Sequence, residues 1–136
     1  MMNIKELDVL VAEDNDVNQI VFEQVLELAR LDYKIVSSGR LAVSTFKIRN
    51  PKVVLMDVSM PDMNGKEATQ AIRKLEKGKG IHTPIIAVTA HALKGDREEF
   101  IAAGMDDYIS KPVSPDALIE KIEYWLHHAR SNQLAS

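Results

Sequence analysis

Five short apolar runs alternate with five segments of helical character, and this alternation constrains the fold more than any other feature of the chain. Short apolar runs separated by longer helical segments are typical of strand–helix–strand units that form a parallel sheet. Helices cover both faces of such a sheet, which explains why the runs are continuously apolar. We therefore predict an α/β fold with a five-stranded parallel sheet and five helices.

The boundaries of the elements follow from the apolar runs and from the Gly, Pro and Asn residues between them. The predicted strands are 7–12, 33–36, 53–56, 84–88 and 108–110. The predicted helices are 15–29, 40–48, 67–77, 96–103 with an alternative start near 92, and 114–128. In the first helix, Val21, Phe22, Val25 and Leu28 share the predicted apolar face. A length of 136 residues corresponds to about one domain, which we place at 5–128 with a C-terminal tail at 129–136.

The composition excludes several classes of function. There are 17 Lys and Arg against 20 Asp and Glu, so the net charge of −3 lacks the basic excess of a nucleic-acid-binding domain. There is no cysteine, which rules out disulfides, thiolate catalysis and cysteine zinc sites. The apolar runs are far shorter than the ~20 residues of a membrane span, and the N-terminus lacks the apolar stretch of a signal peptide. We expect a cytoplasmic protein that binds neither nucleic acid nor membranes.

Polar residues follow four of the predicted strands. Glu13 and Asp14 follow the first, Asp57 the third, Thr89 the fourth and Lys111 the fifth. Each has an ordinary explanation on its own, as a helix cap, a loop acid, a turn residue or a solvated lysine. Ligands of open α/β sheets, however, bind at the carboxyl ends of the strands, where all five residues are expected to meet.

The electrostatics of this edge favour a bound cation. Carboxylates ~4 Å apart repel by about 4 kcal/mol at an effective dielectric of ~20, and Lys111 can offset only part of that repulsion. Mg²⁺ favours one or two carboxylates together with waters and phosphate oxygens. A carboxylate beside Mg²⁺, a hydroxyl and a lysine is suited to phosphoryl transfer, which depends on positioning and charge neutralisation.

Four motifs of the chain resemble those of a known family. They are VAEDN at 11–15, LMDVSMP at 55–61, VTA at 88–90 and GMDDYISKP at 104–112. In this order and spacing they resemble the receiver domain of two-component response regulators, and the wording is most similar to receivers of hybrid histidine kinases and stand-alone receivers. The resemblance covers residues 7–126 and implies a doubly wound, flavodoxin-like sheet with strand order 2-1-3-4-5.

The resemblance implies roles for the acidic residues. Asp57 matches the phosphoacceptor, and Asp14 matches the acid that binds Mg²⁺ directly. Glu13 matches a neighbour that acts through water. Asp57 itself and the backbone carbonyl of Ser59 would complete the metal ligands.

The resemblance also implies how the phosphoryl group is bound and sensed. The Thr89 hydroxyl, the Ala90 backbone N–H and Lys111 would bind phosphoryl oxygens. Thr89 and the Tyr108 ring would move together and change the surface of the fourth helix, fifth strand and fifth helix. A cis peptide bond before Pro112 is a further expectation of the resemblance.

Some positions remain open between two interpretations. Ser59 and His91 match positions that tune water attack on the acyl phosphate. His91 could also be a phosphodonor or a metal ligand, but a solvated loop histidine is the favoured interpretation. Val17 and Ile20 fall outside the predicted apolar face of the first helix, and with Pro112 they could form a docking patch for a helical, histidine-bearing partner. They belong to the core instead if the phase of that helix is misjudged.

The predicted function is that of a phosphorylatable receiver in a phosphorelay, which accepts phosphate from a histidine kinase or a histidine phosphotransfer protein and controls a downstream protein target. We expect no enzyme activity beyond its own phosphorylation and slow dephosphorylation. We also expect a monomer, with the fourth-helix surface as the alternative dimer contact.

An aspartyl-nucleophile phosphohydrolase is the alternative enzyme class, but Ser59 stands where that chemistry needs a second acid. A nucleotide-binding module would need a phosphate loop in place of the acidic residues 13–16. The chain could equally be a receiver fragment of a hybrid histidine kinase.

Overall fold

The computed structural model describes residues 6–90 and 95–135, with side chains as far as His128. Five strands alternate with five helices along the chain. The strands are β1 Val9–Ala12, β2 Tyr33–Val36, β3 Val53–Asp57, β4 Ile85–Thr89 and β5 Asp107–Ser110. The helices are α1 Asp16–Leu28, α2 Gly39–Arg49, α3 Gly65–Glu76, α4 Asp96–Ala102 and α5 Pro115–Ala135.

All strand pairs of the sheet are parallel, and the strand order is β2-β1-β3-β4-β5. This is the predicted flavodoxin-like topology, so the fold prediction is confirmed. In such an order the chain reverses direction across the sheet between β1 and β3, and the carboxyl ends of these two strands form the crevice where ligands bind.

The core consists of two layers, one on each face of the sheet. Phe22 and Leu26 of α1 pack with Leu118 and Ile122 of α5 on one face. The second layer is built on α2, α3 and α4, with Phe46, Ile72 and Phe100 among its buried side chains. Every residue of β1, β3 and β4 is buried because helices cover both faces. Since burying one large apolar side chain contributes roughly 1.5–3 kcal/mol, these strands form a rigid frame beneath the carboxyl edge.

The predicted phase of the first helix was partly wrong. Phe22 and Val25 are buried as expected, but the third buried residue is Leu26, and Leu28 is 84% exposed. Residues 22, 25 and 26 follow the i, i+3, i+4 spacing of one helical face. Leu28 is the last residue of α1, directly before the C-cap Ala29, and it points away from that face.

Most boundaries differ from the prediction by one or two residues, and the end of the last helix differs by more. Helix α5 continues to Ala135 instead of ending near His128, so the segment expected to be a tail is helical in backbone as far as Ala135. The domain limits themselves stay a prediction. Helix α3 begins at Gly65, two residues early, because Asn64 and Glu67 form a capping box at its N-terminus. The alternative start of α4 near Ala92 lies outside the described residues.

Among the helices that the structure describes, none is both long and apolar enough to cross a bilayer.

Candidate functional site

Three acidic side chains meet at the carboxyl edge of the sheet. Glu13 and Asp14 follow β1, and Asp57 is the last residue of β3. Since β1 and β3 are paired with Ala12 opposite Met56, both strands end at the same level. One carboxylate oxygen from each acid lies within 4.8 Å of the others. The structure therefore brings together the acids that the sequence placed at this edge.

Lys111 directly follows β5, two strands from β3, and its side chain reaches this acidic cluster. Its Nζ lies 3.2 Å from Glu13 Oε1 and 3.3 Å from Asp57 Oδ2. Its backbone N–H donates to the carbonyl of Thr89 at 2.7 Å, which fixes the start of the segment after β5. Burial works against the charged ammonium, but the charges of Asp57 and Glu13 more than offset it and raise the pKa of Lys111. The lysine is therefore a permanent cation at this site.

The turn between β1 and α1 orients Glu13. Asn15 caps α1 by accepting a hydrogen bond from the backbone of Asn18 at 3.0 Å, and its own N–H donates to Glu13 Oε2 at 3.2 Å. The Gln19 side-chain amide donates to the Glu13 carbonyl at 2.6 Å. Asn15 is thus the helix cap, and Asp14 remains exposed at the mouth of the site. The contribution of Gln19 was not predicted from the sequence, since a hydrogen bond across one turn and into a helix leaves no pattern in residue types.

Asp57 lies in an environment that disfavours its charge. Its side chain is almost fully buried, and it receives a hydrogen bond from the Ser59 N–H at 3.1 Å on Oδ1. Burial, followed by the hydrogen bond and charge of Glu13, raises the pKa of Asp57 to about 7, although Ser59 and Lys111 act in the opposite direction. In the absence of a further cation, Asp57 therefore shares its site with a neighbouring acid at an energetic cost.

The residues present fit a hard divalent cation. Glu13 Oε1 is buried and has no hydrogen-bond partner within the described part of the chain, although Lys111 Nζ is near it. Its ion-pair partner, the Lys111 ammonium at 3.2 Å, is shared with Asp57, so one cation serves two buried carboxylates. A cation, or a water bound to a cation, would satisfy this oxygen. Carboxylate and carbonyl oxygens are also the donors that Mg²⁺ favours.

The hydroxyl and aromatic positions lie on the two strands beyond β3. Thr89 ends β4 and is buried, one residue beyond Val88, which pairs with Asp57. Tyr108 pairs with Ala87 from β5, and its ring centroid lies 6.3 Å from that of Phe100 in α4. Thr89 and Tyr108 are therefore on adjacent strands, between the acidic cluster and α4.

The other predicted positions lie around the rim. Ser59 is exposed beside Asp57, and Ala90 is exposed after β4. Val17 and Ile20 are 68% and 53% exposed, so they do not belong to the core. Pro112 is exposed and follows the expected cis peptide bond. His91 lies outside the described residues.

One cluster near Tyr108 was not predicted from the sequence. Lys121 of α5 donates to both carboxylate oxygens of Asp107, at 2.8 and 3.0 Å, and Trp125 Nε1 donates to Asp107 Oδ2 at 2.9 Å. Burial opposes the charged carboxylate, yet the Lys121 and Trp125 donors lower the pKa of Asp107 below its usual value. Lys121 Nζ also lies 5.9 Å from the centre of the Tyr108 ring. The four-residue spacing of Lys121 and Trp125 was visible, but their common partner on β5 was not.

A cavity of about 520 Å³ opens beside this cluster, between α4, β5 and α5. Phe100, Met105 and Tyr108 contribute apolar walls, and Arg97 and Lys121 contribute cations. This is the surface that the resemblance associates with switching.

The fold and the comparisons place the chain in the class of two-component signalling proteins. The chain belongs to the response regulator receiver domain family, whose model matches residues 9–123.

Two kinds of relatives are similar in sequence to this chain. Hybrid signal transduction histidine kinase I of Dictyostelium discoideum is 45% identical over 119 residues, which are 84% of this chain but 7% of that protein. The polar-differentiation response regulator DivK of Brucella ovis is 36% identical over 121 residues, which cover 89% of this chain and 97% of that protein. The chain thus matches a small part of a large kinase and nearly the whole of a small regulator.

Two solved structures are similar in fold. The receiver domain of a Pseudomonas aeruginosa sensor histidine kinase, with a magnesium ion coordinated in its active-site cleft, has a TM-score of 0.79 and 38% identity over 90% of this chain and 98% of that one. The Saccharomyces cerevisiae receiver domain of Ssk1, crystallised with the histidine phosphotransfer protein Ypd1, has a TM-score of 0.82 and 32% identity over 91% of each chain.

Proposed function

We propose that this chain accepts a phosphoryl group on Asp57 from a phosphohistidine of a histidine kinase or a histidine phosphotransfer protein. The observation that carries the proposal is the cluster of Glu13, Asp14 and Asp57, which lies against the Lys111 ammonium and contains one buried oxygen without a hydrogen bond. Mg²⁺ would be held by Asp14, Asp57 and the Ser59 carbonyl, with Glu13 acting through water.

Asp57 is suited to act as the nucleophile. Its Oδ1 is fixed by the Ser59 N–H, and its Oδ2 faces Lys111. A carboxylate oxygen forms the new P–O bond while the P–N bond of the phosphohistidine breaks. The electrons of that bond leave with the imidazole nitrogen, and the imidazole is released neutral when its other nitrogen carries a proton. When bound, Mg²⁺ supplies positive charge to the phosphoryl oxygens.

The remaining side chains neutralise and position the transferred group. Lys111 already lies within ion-pair distance of Asp57, so it can contact a phosphoryl oxygen bonded to Asp57. Thr89 would donate its hydroxyl, and Ala90 its backbone N–H, to the other oxygens. Positioned donors of this kind provide most of the catalysis in phosphoryl transfer.

Phosphorylation would switch the surface formed by α4, β5 and α5. A ligand shifts a conformational equilibrium only through contacts that differ between the two states. Thr89 and Lys111 supply such contacts, and Tyr108 connects them with Phe100 of α4. We propose that a downstream protein binds this surface.

The donor would dock on the exposed apolar side chains beside Asp57. Val17 and Ile20 of α1 and Pro112 after β5 are exposed apolar side chains that could contact such a partner. The complex of the Ssk1 receiver domain with Ypd1 supports a histidine phosphotransfer protein as the type of partner. Ser59 and His91 would tune the access of water to the acyl phosphate, and hence its lifetime.

Intact-mass analysis after incubation with acetyl phosphate tests the phosphoacceptor. Wild type with Mg²⁺ should gain one phosphoryl group, and omission of Mg²⁺ should abolish the gain. Asp57→Asn should gain none, whereas Asp116→Asn in the first turn of α5 serves as a matched control and should behave like wild type. Phosphorylation of Asp57→Asn to the wild-type extent would refute the assignment. Rapid release of phosphate over many turnovers, with no phosphorylated protein accumulating, would favour a phosphohydrolase instead.

A further inference from the structure

The loop between β3 and α3, residues 58–64, lies between two glycines that each contact backbone. It follows Asp57 directly and carries Ser59, whose carbonyl is a proposed metal ligand. The position of this loop therefore determines where both the phosphoacceptor and the carbonyl ligand lie. Helix α3 contacts it from one side and helix α2 from the other.

Gly65 forms the contact with α3. A Cβ on Gly65 would lie 2.3 Å from the carbonyl oxygen of Asp57 and 3.0 Å from Cα of Val58. Both neighbours are backbone atoms, so no rotation of a side chain can relieve the clash. The Gly65 N–H also donates to the Val58 carbonyl at 3.2 Å. The first turn of α3 thus packs directly against the backbone of Asp57, the proposed phosphoacceptor.

Gly39 forms the corresponding contact with α2. A Cβ there would lie 2.4 Å from the carbonyl oxygen of Met63, which is again a backbone atom. The next residue, Arg40, donates from Nε to the carboxylate of Asp62 at 2.5 Å. Both partners of this ion pair are largely exposed, so it contributes little to stability. Close packing at Gly39, supported by this ion pair, holds the loop from the α2 side.

We propose that Gly39 and Gly65 are positioning residues for the metal and phosphoacceptor site. By permitting α2 and α3 to contact the loop backbone, they place the Asp57 carboxylate and the Ser59 carbonyl for a small cation. Mg²⁺ requires near-octahedral ligands at about 2.0–2.1 Å, so displacements of a few tenths of an ångström weaken its binding. This inference rests on the proposed function, since it concerns the same metal site.

A purely structural role makes a different prediction. Apart from the clash, alanine in the first turn of a helix is more favourable than glycine by about 0.5–1 kcal/mol. A glycine retained only for packing would affect the free energy of unfolding and leave the metal affinity of the folded protein unchanged. The two roles are therefore separated by measuring affinity and stability on the same variants.

The experiment compares three alanine substitutions by calorimetric titration with Mg²⁺ and by urea unfolding. Gly39→Ala and Gly65→Ala should weaken Mg²⁺ binding by about tenfold, the lower end of losses seen when groups that orient metal ligands are removed. Gly104→Ala is the matched control. Gly104 has φ of +100° and contacts the Arg73 side chain at the opposite edge of the sheet, so alanine there should lower stability without changing Mg²⁺ affinity.

The outcomes separate this inference from the function on which it rests. If wild type binds no Mg²⁺, the proposed function fails. If wild type binds but Gly39→Ala and Gly65→Ala bind equally well, or if all three variants lose affinity in proportion to stability, the positioning role is wrong.

Should the glycine variants not fold, Arg40→Ala decides the question, since it removes only an exposed ion pair. It should shift the amide resonance of Ser59 and weaken Mg²⁺ binding about twofold, below the tenfold range; an unchanged resonance and affinity would refute the inference.

Discussion

Two clusters of buried or half-buried acids lie at opposite edges of the same sheet, and they differ in how completely their oxygens are hydrogen-bonded. At the carboxyl edge, Glu13 and Asp57 share one lysine, and Glu13 Oε1 accepts no hydrogen bond from the described residues. At the amino edge, Glu76 and Asp106 share Arg73.

Every carboxylate oxygen of the amino-edge cluster has a partner. Glu76 accepts from Arg73 Nη1 at 2.7 Å and from the Thr83 N–H at 2.6 Å. Asp106 Oδ2 accepts from Arg73 Nη2 and from the Ile85 N–H, both at 2.8 Å, while Oδ1 contacts His82 Nε2 at 2.7 Å. A saturated network has no capacity left for a ligand, whereas an unsaturated one does. We therefore interpret the amino edge as structural and the carboxyl edge as the candidate ligand site.

The largest effect is expected when the saturated cluster is broken. Arg73→Ala leaves Glu76 and Asp106 without their cation and also removes donors to the carbonyls of Gly104 and Thr83. Removing one partner of such a pair costs about 4 kcal/mol. Urea unfolding should show this loss, whereas Lys74→Ala on the exposed side of the same helix should change stability little. A loss below that of the control would mean that the network is not structural.

At the carboxyl edge, the charge of Asp57 should destabilise the fold, so the free energy of unfolding should fall as pH rises. The folded state raises the pKa of Asp57 from its ordinary 3.8 to about 7, so between these values the unfolded chain binds fewer protons than the native one. Ionisation of Asp57 thus disfavours folding, and without Mg²⁺ about 2 kcal/mol should be lost between pH 5 and pH 7.

Asp57→Asn provides the control for this pH dependence, because it removes the ionisable group but retains its size. The variant should be more stable than wild type at pH 7, and the two should converge near pH 4. Urea unfolding across this range measures both curves. Parallel curves for the two proteins would show that Asp57 does not carry the charge repulsion.

The sequence was sufficient to predict the strands, because β1, β3 and β4 are continuous apolar runs buried on both faces. It was less informative for α1, where Leu26 and Leu28 are equally apolar and only the packing on α5 and the sheet distinguishes them. Helix ends were also uncertain, since the extent of α5 depends on no single breaker residue.

The same distinction applies to the two acidic clusters. Glu13, Asp57 and Lys111 could be found from the sequence because each lies at the end of a strand or directly after it, and parallel strands end at one edge. Arg73 and Asp106 are 33 residues apart, and no local pattern pairs them. The backbone contact between Gly39 and Met63 is likewise a property of the packed structure. Local patterns therefore reveal residues placed by the sheet and miss residues placed by contacts between helices and loops.

The smallest effect that distinguishes the two edges is stabilisation by Mg²⁺. A cation that binds only the native state at ten times its dissociation constant adds about 1.4 kcal/mol, which corresponds to a rise in melting temperature of roughly 4 °C for a domain of this size. Thermal unfolding with and without Mg²⁺ should show this rise for wild type at pH 7.

Asp57→Ala should be more stable than wild type without Mg²⁺, because the repulsion is gone, and should gain less when Mg²⁺ is added. Arg73→Ala should melt at a lower temperature but gain as much from Mg²⁺ as wild type does, since its lesion lies at the other edge. If Mg²⁺ stabilised Asp57→Ala as strongly as wild type, the cation would be binding elsewhere, and the unsatisfied oxygen of Glu13 would have to be explained without it.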